Sequence, residues 1–322
     1  MPIYDKLQLT QKAKELHVVR DTYEKVCRLQ EILSFFASSE LLKSSLALKG
    51  GTAINLLFFN LPRLSVDIDL DFCKNCSREE MLAQREKIDK LIAKYMQSQG
   101  YSISPHSKTP HSLDSFVYDY INSAGMKDNI KIEINYSLRA HVLPERPMNL
   151  HAETFAANFQ VTTLSPIEIY ATKTVALLTR AAARDLYDLN YMIRYGIFDE
   201  TETEQYRKCV IFYLAVATMT PPTEISFTAI DTITPHKIHT DLNPVIRDKD
   251  SFELDTAKKN VRDYLTDTIT LSAKEKQFLE KFKHGIYQPD FLFDDEETIA
   301  RVKNHPMALW KTAKTRKTDI QR

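Results

Sequence analysis

The sequence predicts an α+β protein, with a mixed sheet and packed helices in its first half and a mostly helical second half. Three observations carry that class. Residues 66–72 (VDIDLDF) and 130–136 (IKIEINY) alternate polar and apolar side chains, the period of a strand with one buried face. Residues 10–45 and 165–195 instead repeat apolar positions at helical spacing, and 77–99 is rich in Lys, Glu and Gln. Only six glycines are spread over 322 residues, which leaves little of the chain for loops.

Taken in order, residues 10–45 contain neither glycine nor proline and read as one or two helices. A short strand at 46–49 ends at Gly50-Gly51, and a compact apolar helix follows at 52–60 until Leu61-Pro62 stops it. The acidic strand is 66–72, and 77–99 is a solvent-facing helix rich in Lys, Glu and Gln. Strands at 115–121 and 130–136 are separated by Asn122, Gly125 and Asp128, which suit a hairpin turn.

Ser165-Pro166-Ile167-Glu168 predicts a helix start, with Ser165 as N-cap, Pro166 as first helical residue and Glu168 closing a capping box. The helix is expected to run to about residue 195, with Gly196 as its stop. Val175, Leu178, Ala182, Leu186, Leu189 and Ile193 would form its apolar stripe. Lys173, Arg180 and Arg184 would line the opposite side, with Asp188 a little round the cylinder, a basic row suited to flank an anion. Beyond it the chain reads as helical at 200–218, irregular to about 250, then helical at 255–283 and 294–303. The basic tail KTAKTRKTDIQR is expected to fray. The expected domain boundary lies near 160, giving units 1–160 and 161–322.

Forty-three basic residues balance forty-three acidic ones, so no global field advertises nucleic acid, and an RNA partner would need a local patch. No stretch is apolar enough to span a bilayer and the N-terminus has no signal-peptide segment, so a soluble, cytoplasmic protein is expected. Cys27, Cys73, Cys76 and Cys209 form no secreted disulfide framework, and Cys73-x-x-Cys76 has no second pair at zinc spacing. The nine histidines show no paired-ligand spacing. His305-Pro306 reads as a cap, with Trp310 as a buried anchor.

The chemistry concentrates in residues 48–72. Asp67, Asp69 and Asp71 occupy alternate positions, so their carboxylates share one strand face while Ile68, Leu70 and Phe72 take the other. Carboxylates this close repel unless a cation sits among them or their pKa values rise, and a hard divalent ion such as Mg2+ suits oxygen donors. A bland alternative is a solvated edge strand. A calcium loop fails, because the sixth position is Phe72 and the twelfth Arg78. Gly50-Gly51-Thr52 stands where a strand hands over to a helix, where backbone N–H groups can meet a phosphate. It is no Walker loop, since no G-K-[ST] follows. Glu133 lies on a neighbouring strand, where it either completes a metal site and accepts a proton or simply faces water. Lys173 and the segment Arg184-Asp185-Leu186-Tyr187-Asp188 either carry phosphate-binding charge or form intrahelical pairs.

KGGTAINLLFF, RLSVDIDLDF, IEINY and KTVALLTRAAARDLYDL together resemble the AbiEii-type toxin nucleotidyltransferases of abortive-infection and type IV toxin–antitoxin systems. The likeness covers about residues 45–195, and FLFDDEE and NHPMALWK add a weaker one. It implies a polymerase-beta-like core and transfer of NMP from an NTP, with Mg2+ or Mn2+, to an RNA acceptor such as a tRNA 3′ end. An antitoxin or transcription regulator would be its protein partner. Gly50, Gly51 and Thr52 match the family's turn, and Arg63, Ser65, Asp67 and Asp69 its strand motif. The resemblance makes Asp67 and Asp69 the metal pair, Glu133 a third carboxylate, and Lys173 and Asp188 the later functional pair. Lys173 and Arg184 would meet nucleotide phosphates. Asp71 is one acid more than the family's pattern, which leaves open which pair holds metal.

Overall fold

The computed structural model describes residues 5–150, 159–218, 221–222, 224–247 and 252–320. Its contacts divide the chain into two compact units. The first comprises residues 1–139, 145–164 and 244–250, and the second 140–144, 165–243 and 251–322.

The first unit begins with helices α1 (Lys6–Leu16), α2 (Arg20–Ser38) and α3 (Glu40–Ser45). Strand β1 (Leu46–Lys49) leads into α4 (Gly50–Ala53), which continues as a π-helical turn, Ile54–Phe58. Strand β2 (Asp67–Phe72), helix α5 (Arg78–Ser98) and strands β3 (Ser102–Ile103), β4 (Leu113–Ile121), β5 (Lys127–Asn135), β6 (Arg146–Asn149) and β7 (Gln160–Thr163) complete it. The seven strands form one mixed sheet in the order β3-β4-β5-β2-β1-β7-β6. The expected acidic strand, hairpin and 77–99 helix are all present, the last with a Ser77–Glu80 capping box. Asn122 and Gly125 make the hairpin turn as anticipated. The Asn122 side chain accepts from Ala124 N and Met126 N, and Gly125 takes φ 78°. β3, β6 and β7 are too short to leave a period-two signal, and the sequence reading passes over them.

Alternation sets which sheet face is which. Ile68, Leu70, Phe72, Ile130, Ile132 and Ile134 are buried, each contributing about 1.5–3 kcal/mol relative to exposure. α5 covers this face through Ile88, Ile92 and Met96, and its Arg85 makes paired bonds of 2.9 and 2.5 Å to buried Asp114. The burial of these apolar side chains fixes the register, because a slip by one residue would turn them all outward. That same constraint holds Asp67, Asp69, Lys131 and Glu133 together on the opposite face.

The second unit is helical: α6 (Pro166–Arg180), α7 (Ala183–Tyr195), α8 (Glu200–Ala217), the single turn α9 (Pro235–Lys237), α10 (Leu254–Thr268), α11 (Ala273–Lys283), α12 (Glu296–Val302) and α13 (Pro306–Ile320). Four expectations are corrected here. The single helix over 165–195 is two, broken where Ala181 takes a left-handed φ of 48°. The capping box at Ser165 does not form. Glu168 is instead buried, accepting from Val142 N at 2.9 Å, Leu143 N at 3.1 Å and the Tyr213 hydroxyl. Burial raises its pKa, and His141, Tyr213 and the two amides oppose the rise. Trp310 is 56% exposed and anchors nothing in a core, while His305 is buried and caps as expected, its Nδ1 accepting from Ala308 N. α13 extends through most of the tail expected to fray, and its last two residues lie outside the described ones. Among the described residues no helix is long and apolar enough to cross a membrane.

Candidate active site

In the first unit, β2 lies between β1 and β5. It runs antiparallel to β1, pairing Lys49 with Asp69, and parallel to β5, pairing Asp67 with Lys131 and Asp69 with Glu133. Paired residues share a face, so the two aspartates predicted from the sequence stand beside the predicted glutamate. Asp71 is spoken for otherwise. It is 2% exposed, with its Oδ1 2.6 Å from Lys49 Nζ. The acid in excess of the family pattern thus has a cation of its own on β1.

The glycine turn is built around Asp69. Gly50 takes φ +69°, and a Cβ added there would stand 2.7 Å from Asp69 Oδ2. A Cβ on Gly51 would stand 2.5 Å from Arg63 Nη2 and 3.0 Å from Ser65 Oγ. A side chain at Gly50 would therefore displace Asp69, and one at Gly51 would displace Arg63 and press on Ser65. As the helix begins at Gly50, its first-turn N–H groups have no intrahelical carbonyl to meet.

The hydroxyls of this motif face inward. Thr52 is fully buried and donates to the Asp67 carbonyl oxygen, with Ser65 Oγ 2.9 Å away. A carbonyl only accepts, so Ser65 is the donor between the two hydroxyls. Arg63 is buried as well, donating from Nη1 to the Leu64 carbonyl at 3.1 Å. These three matching residues fasten the turn to the strand from behind. Asn55, which the sequence reading missed, joins them by donating to the Gly51 carbonyl at 2.6 Å and accepting from Arg63 N. The strand entry is braced by residues 244–247. Ile246 bridges Arg63, Val245 O accepts from Leu64 N at 2.6 Å, and Arg247 donates to the Asn60 and Leu61 carbonyls. A brace from so far along the chain leaves no local signal.

Among the described residues, no three His, Cys, Asp or Glu side chains converge closely enough to hold a metal ion. The face nevertheless collects a cation. Lys131 Nζ lies 2.8 Å from Glu133 Oε1. Burial works to lower the Lys131 pKa, but the bond to Glu133 and the charges of Glu133, Asp67 and Asp69 hold it above the usual lysine value. An ammonium thus sits on Glu133 within reach of the two aspartate charges, and these side chains offer only oxygen donors, the kind a hard divalent ion prefers. The donor type of these side chains suits such an ion, without their forming a closed cluster of three.

In the second unit Lys173 is the centre of a buried cluster and does not head an exposed basic row. Its Nζ lies 2.8 Å from Asp185 Oδ1 and 3.0 Å from Asp188 Oδ2, and Arg180 Nη2 is 2.9 Å from Asp185 Oδ2. The break at Ala181 turns α7 back so that its two aspartates meet the lysine of α6. Asp185 was missed as a functional candidate because a continuous helix would have placed it elsewhere. Arg184 leaves the row too, donating from Nε to the Asp241 carbonyl at 2.7 Å.

A glycine turn closed over a strand carboxylate, on a mixed sheet whose polar face gathers acids, serves phosphate chemistry. The chain belongs to the AbiEii family of nucleotidyltransferase toxins of type IV toxin–antitoxin systems, whose model matches residues 32–285. It is therefore a nucleotidyltransferase, with a nucleotide as substrate and an antitoxin as the partner its family implies. Among solved structures it resembles the nucleotidyltransferase toxin MenT4 (Rv2826c) of Mycobacterium tuberculosis H37Rv. The TM-score is 0.64 at 16% identity, over 95% of this chain and 99% of that one, a likeness of fold. No curated protein matches the chain.

Gly50→Ala tests the turn. The left-handed φ and the contact with Asp69 together are expected to cost about 1–3 kcal/mol. Thermal melting should show that loss, and label transfer from NTP should fall with it as Asp69 is displaced.

Proposed function

We propose that the protein transfers NMP from an NTP to an RNA acceptor, a tRNA 3′ end, in a Mg2+-dependent reaction centred on Asp67, Asp69 and Glu133. The observation that carries this reading is the register: Asp69 pairs with Glu133 on one side and lies against Gly50 on the other. Backbone N–H groups of Gly50, Gly51 and Thr52 receive the β- and γ-phosphates, and the glycines allow that approach because they carry no Cβ. Arg63, Ser65 and the Thr52 hydroxyl hold the turn in place.

Asp67 and Asp69, with Glu133, are the ligands for Mg2+, for which Mn2+ would substitute. A divalent ion held there supplies charge to polarise the α-phosphate and to neutralise the departing pyrophosphate. The acceptor hydroxyl attacks the α-phosphorus, the bond to the pyrophosphate oxygen breaks, and Glu133 receives the hydroxyl proton. Such a transfer needs positioning and charge more than covalent help from the protein. Lys173, its ammonium held by Asp185 and Asp188, is the further cation that the family resemblance assigns to the reaction.

The test is incubation with total RNA, Mg2+ and each labelled NTP in turn. Label in tRNA-sized RNA with release of pyrophosphate is the expected result, and the productive NTP identifies the nucleotide. NTP-dependent thermal stabilisation without incorporation would replace the enzyme with a binding module. Label on a small molecule would move the acceptor out of the RNA class.

A further inference from the structure

The last helix of the second unit carries a face that the proposed chemistry does not use. α13 is seated through Ala308 and Thr312, both buried, and through His305 just ahead of it, whose ring meets Phe212 edge-on at 5.1 Å. Lys311 fastens the helix further by donating to the Ala215 and Thr218 carbonyls at the end of α8. Residues 308 and 312 lie one above the other on the seated side, so 310 and 314 fall on the outward side. There Trp310 is 56% exposed, with Leu309 beside it 42% exposed. Trp310 is the one tryptophan of the chain, and Lys314 Nζ stands 5.2 Å from its ring centroid.

A lone exposed apolar residue is ordinary on a protein surface. The charge around this one is not. Between Thr298 and Thr318 the sequence has six lysines and arginines and no acid, in a chain whose 43 basic and 43 acidic residues cancel. Arg301 is met by Glu297, one turn back on α12. Lys303, Lys314 and Arg316 are exposed. The end of α11 comes up beside the helix, where a Cβ on Gly285 would stand 2.8 Å from Arg316 Cγ, and it adds exposed Lys283. Glu280, the acid of that turn, lies 2.9 Å from His284. This is the local basic patch that a neutral chain needs in order to hold RNA. Trp310 and Leu309 are too little for a stable protein interface, which takes about 800 Å² from each partner. A helix whose other side is seated on α8 has no apolar face to lay into a bilayer. An indole with an ammonium one turn on instead suits a stacked base and its phosphate.

We infer that the outward face of α13 binds a single-stranded stretch of the RNA acceptor, with a base stacked on Trp310 and Lys314 meeting the adjoining phosphate. This deepens the proposed reaction and rests on its acceptor being RNA. The basic residues around the pair draw the strand in, a pull that salt weakens. Stacking accepts any base, because every base offers a flat face, so this contact adds affinity without reading sequence.

Bulk tRNA and a fluorescein-labelled oligo(U), both without NTP, are the probes. Because Trp310 is the one tryptophan, its emission reports on this face alone, and titration of the full chain with tRNA should quench it. Anisotropy of the oligo(U) then ranks the variants. Trp310→Ala should bind at least about fivefold more weakly, and Trp310→Phe should stay within about threefold of wild type. Lys314→Glu should weaken binding and lower the salt slope by about one. These side chains are exposed, so melting temperatures should stay within about 2 °C of wild type. Unquenched emission with RNA bound, or wild-type affinity in both Trp310→Ala and Lys314→Glu, would overturn the inference. Label transfer separates it from the reading beneath it. Trp310→Ala should keep the wild-type kcat with a raised KM for tRNA. An unchanged KM removes α13 alone, whereas wild-type protein that labels a small molecule and no RNA removes the RNA acceptor itself.

Discussion

Asp69→Asn is expected to lower nucleotidyl transfer by about three orders of magnitude while leaving the fold intact, the scale seen when one preorganised electrostatic group is removed from a transfer site. Asparagine keeps the size and shape of the side chain that Gly50 makes room for, so the turn has no reason to move. Only the charge is lost, from a face where acids already crowd one another. Stability should therefore change by less than about 1 kcal/mol. Asp71→Asn is the informative contrast. It strips Lys49 of its carboxylate partner in a buried setting and should lower the melting temperature, while the folded fraction keeps its transfer rate. Label transfer at saturating NTP, paired with melting curves, checks both variants. If Asp69→Asn retained transfer within about tenfold of wild type, Asp69 would leave the mechanism. If Asp71→Asn lost transfer without losing stability, the excess acid would belong to the site after all.

Why the acidic strand was legible in the sequence, and other parts were not, follows from the range of the forces involved. Alternating Asp with Ile, Leu and Phe over 66–72 admits one burial pattern, and the sheet realises it. The Gly50-Gly51 turn was legible because only glycine tolerates its φ and its close neighbours. Arg63 is legible only as part of the strand motif, and its burial under the turn is not, because its environment is made by Asn55 and by residues 245–247. Lys131 was read only as part of a polar face. Its neighbours depend on which strand lies beside it, and a single strand's period cannot say that. The break at Ala181 had no glycine or proline to announce it. A left-handed alanine costs about 1–2 kcal/mol, a price that only tertiary contacts such as the Lys173 cluster can offset. Glu168 shows the same limit, since a good capping-box sequence lost its glutamate to the buried amides of residues 142–143.

Lys173→Met is expected to be the most destabilising of the substitutions considered, by about 3–5 kcal/mol, the usual cost of removing one partner from a buried ion pair. The lysine side chain is 11% accessible and its two aspartates 1% each, so water cannot take over when the ammonium goes. Part of the loss would be relieved by protonation of one aspartate. Two carboxylates that lose their shared ammonium repel more strongly, and proton uptake removes that repulsion. Arg180 already faces Asp185, so Asp185 keeps a cation in the variant. Lys173→Arg separates structure from chemistry. It preserves the positive charge for both aspartates and should recover most of the stability, but its planar guanidinium cannot place a point charge where the ammonium stood. Melting curves should thus rank wild type above Lys173→Arg and Lys173→Arg well above Lys173→Met. Label transfer should be lost in both variants. A folded Lys173→Arg protein that transfers label at the wild-type rate would restrict Lys173 to joining α6 with α7.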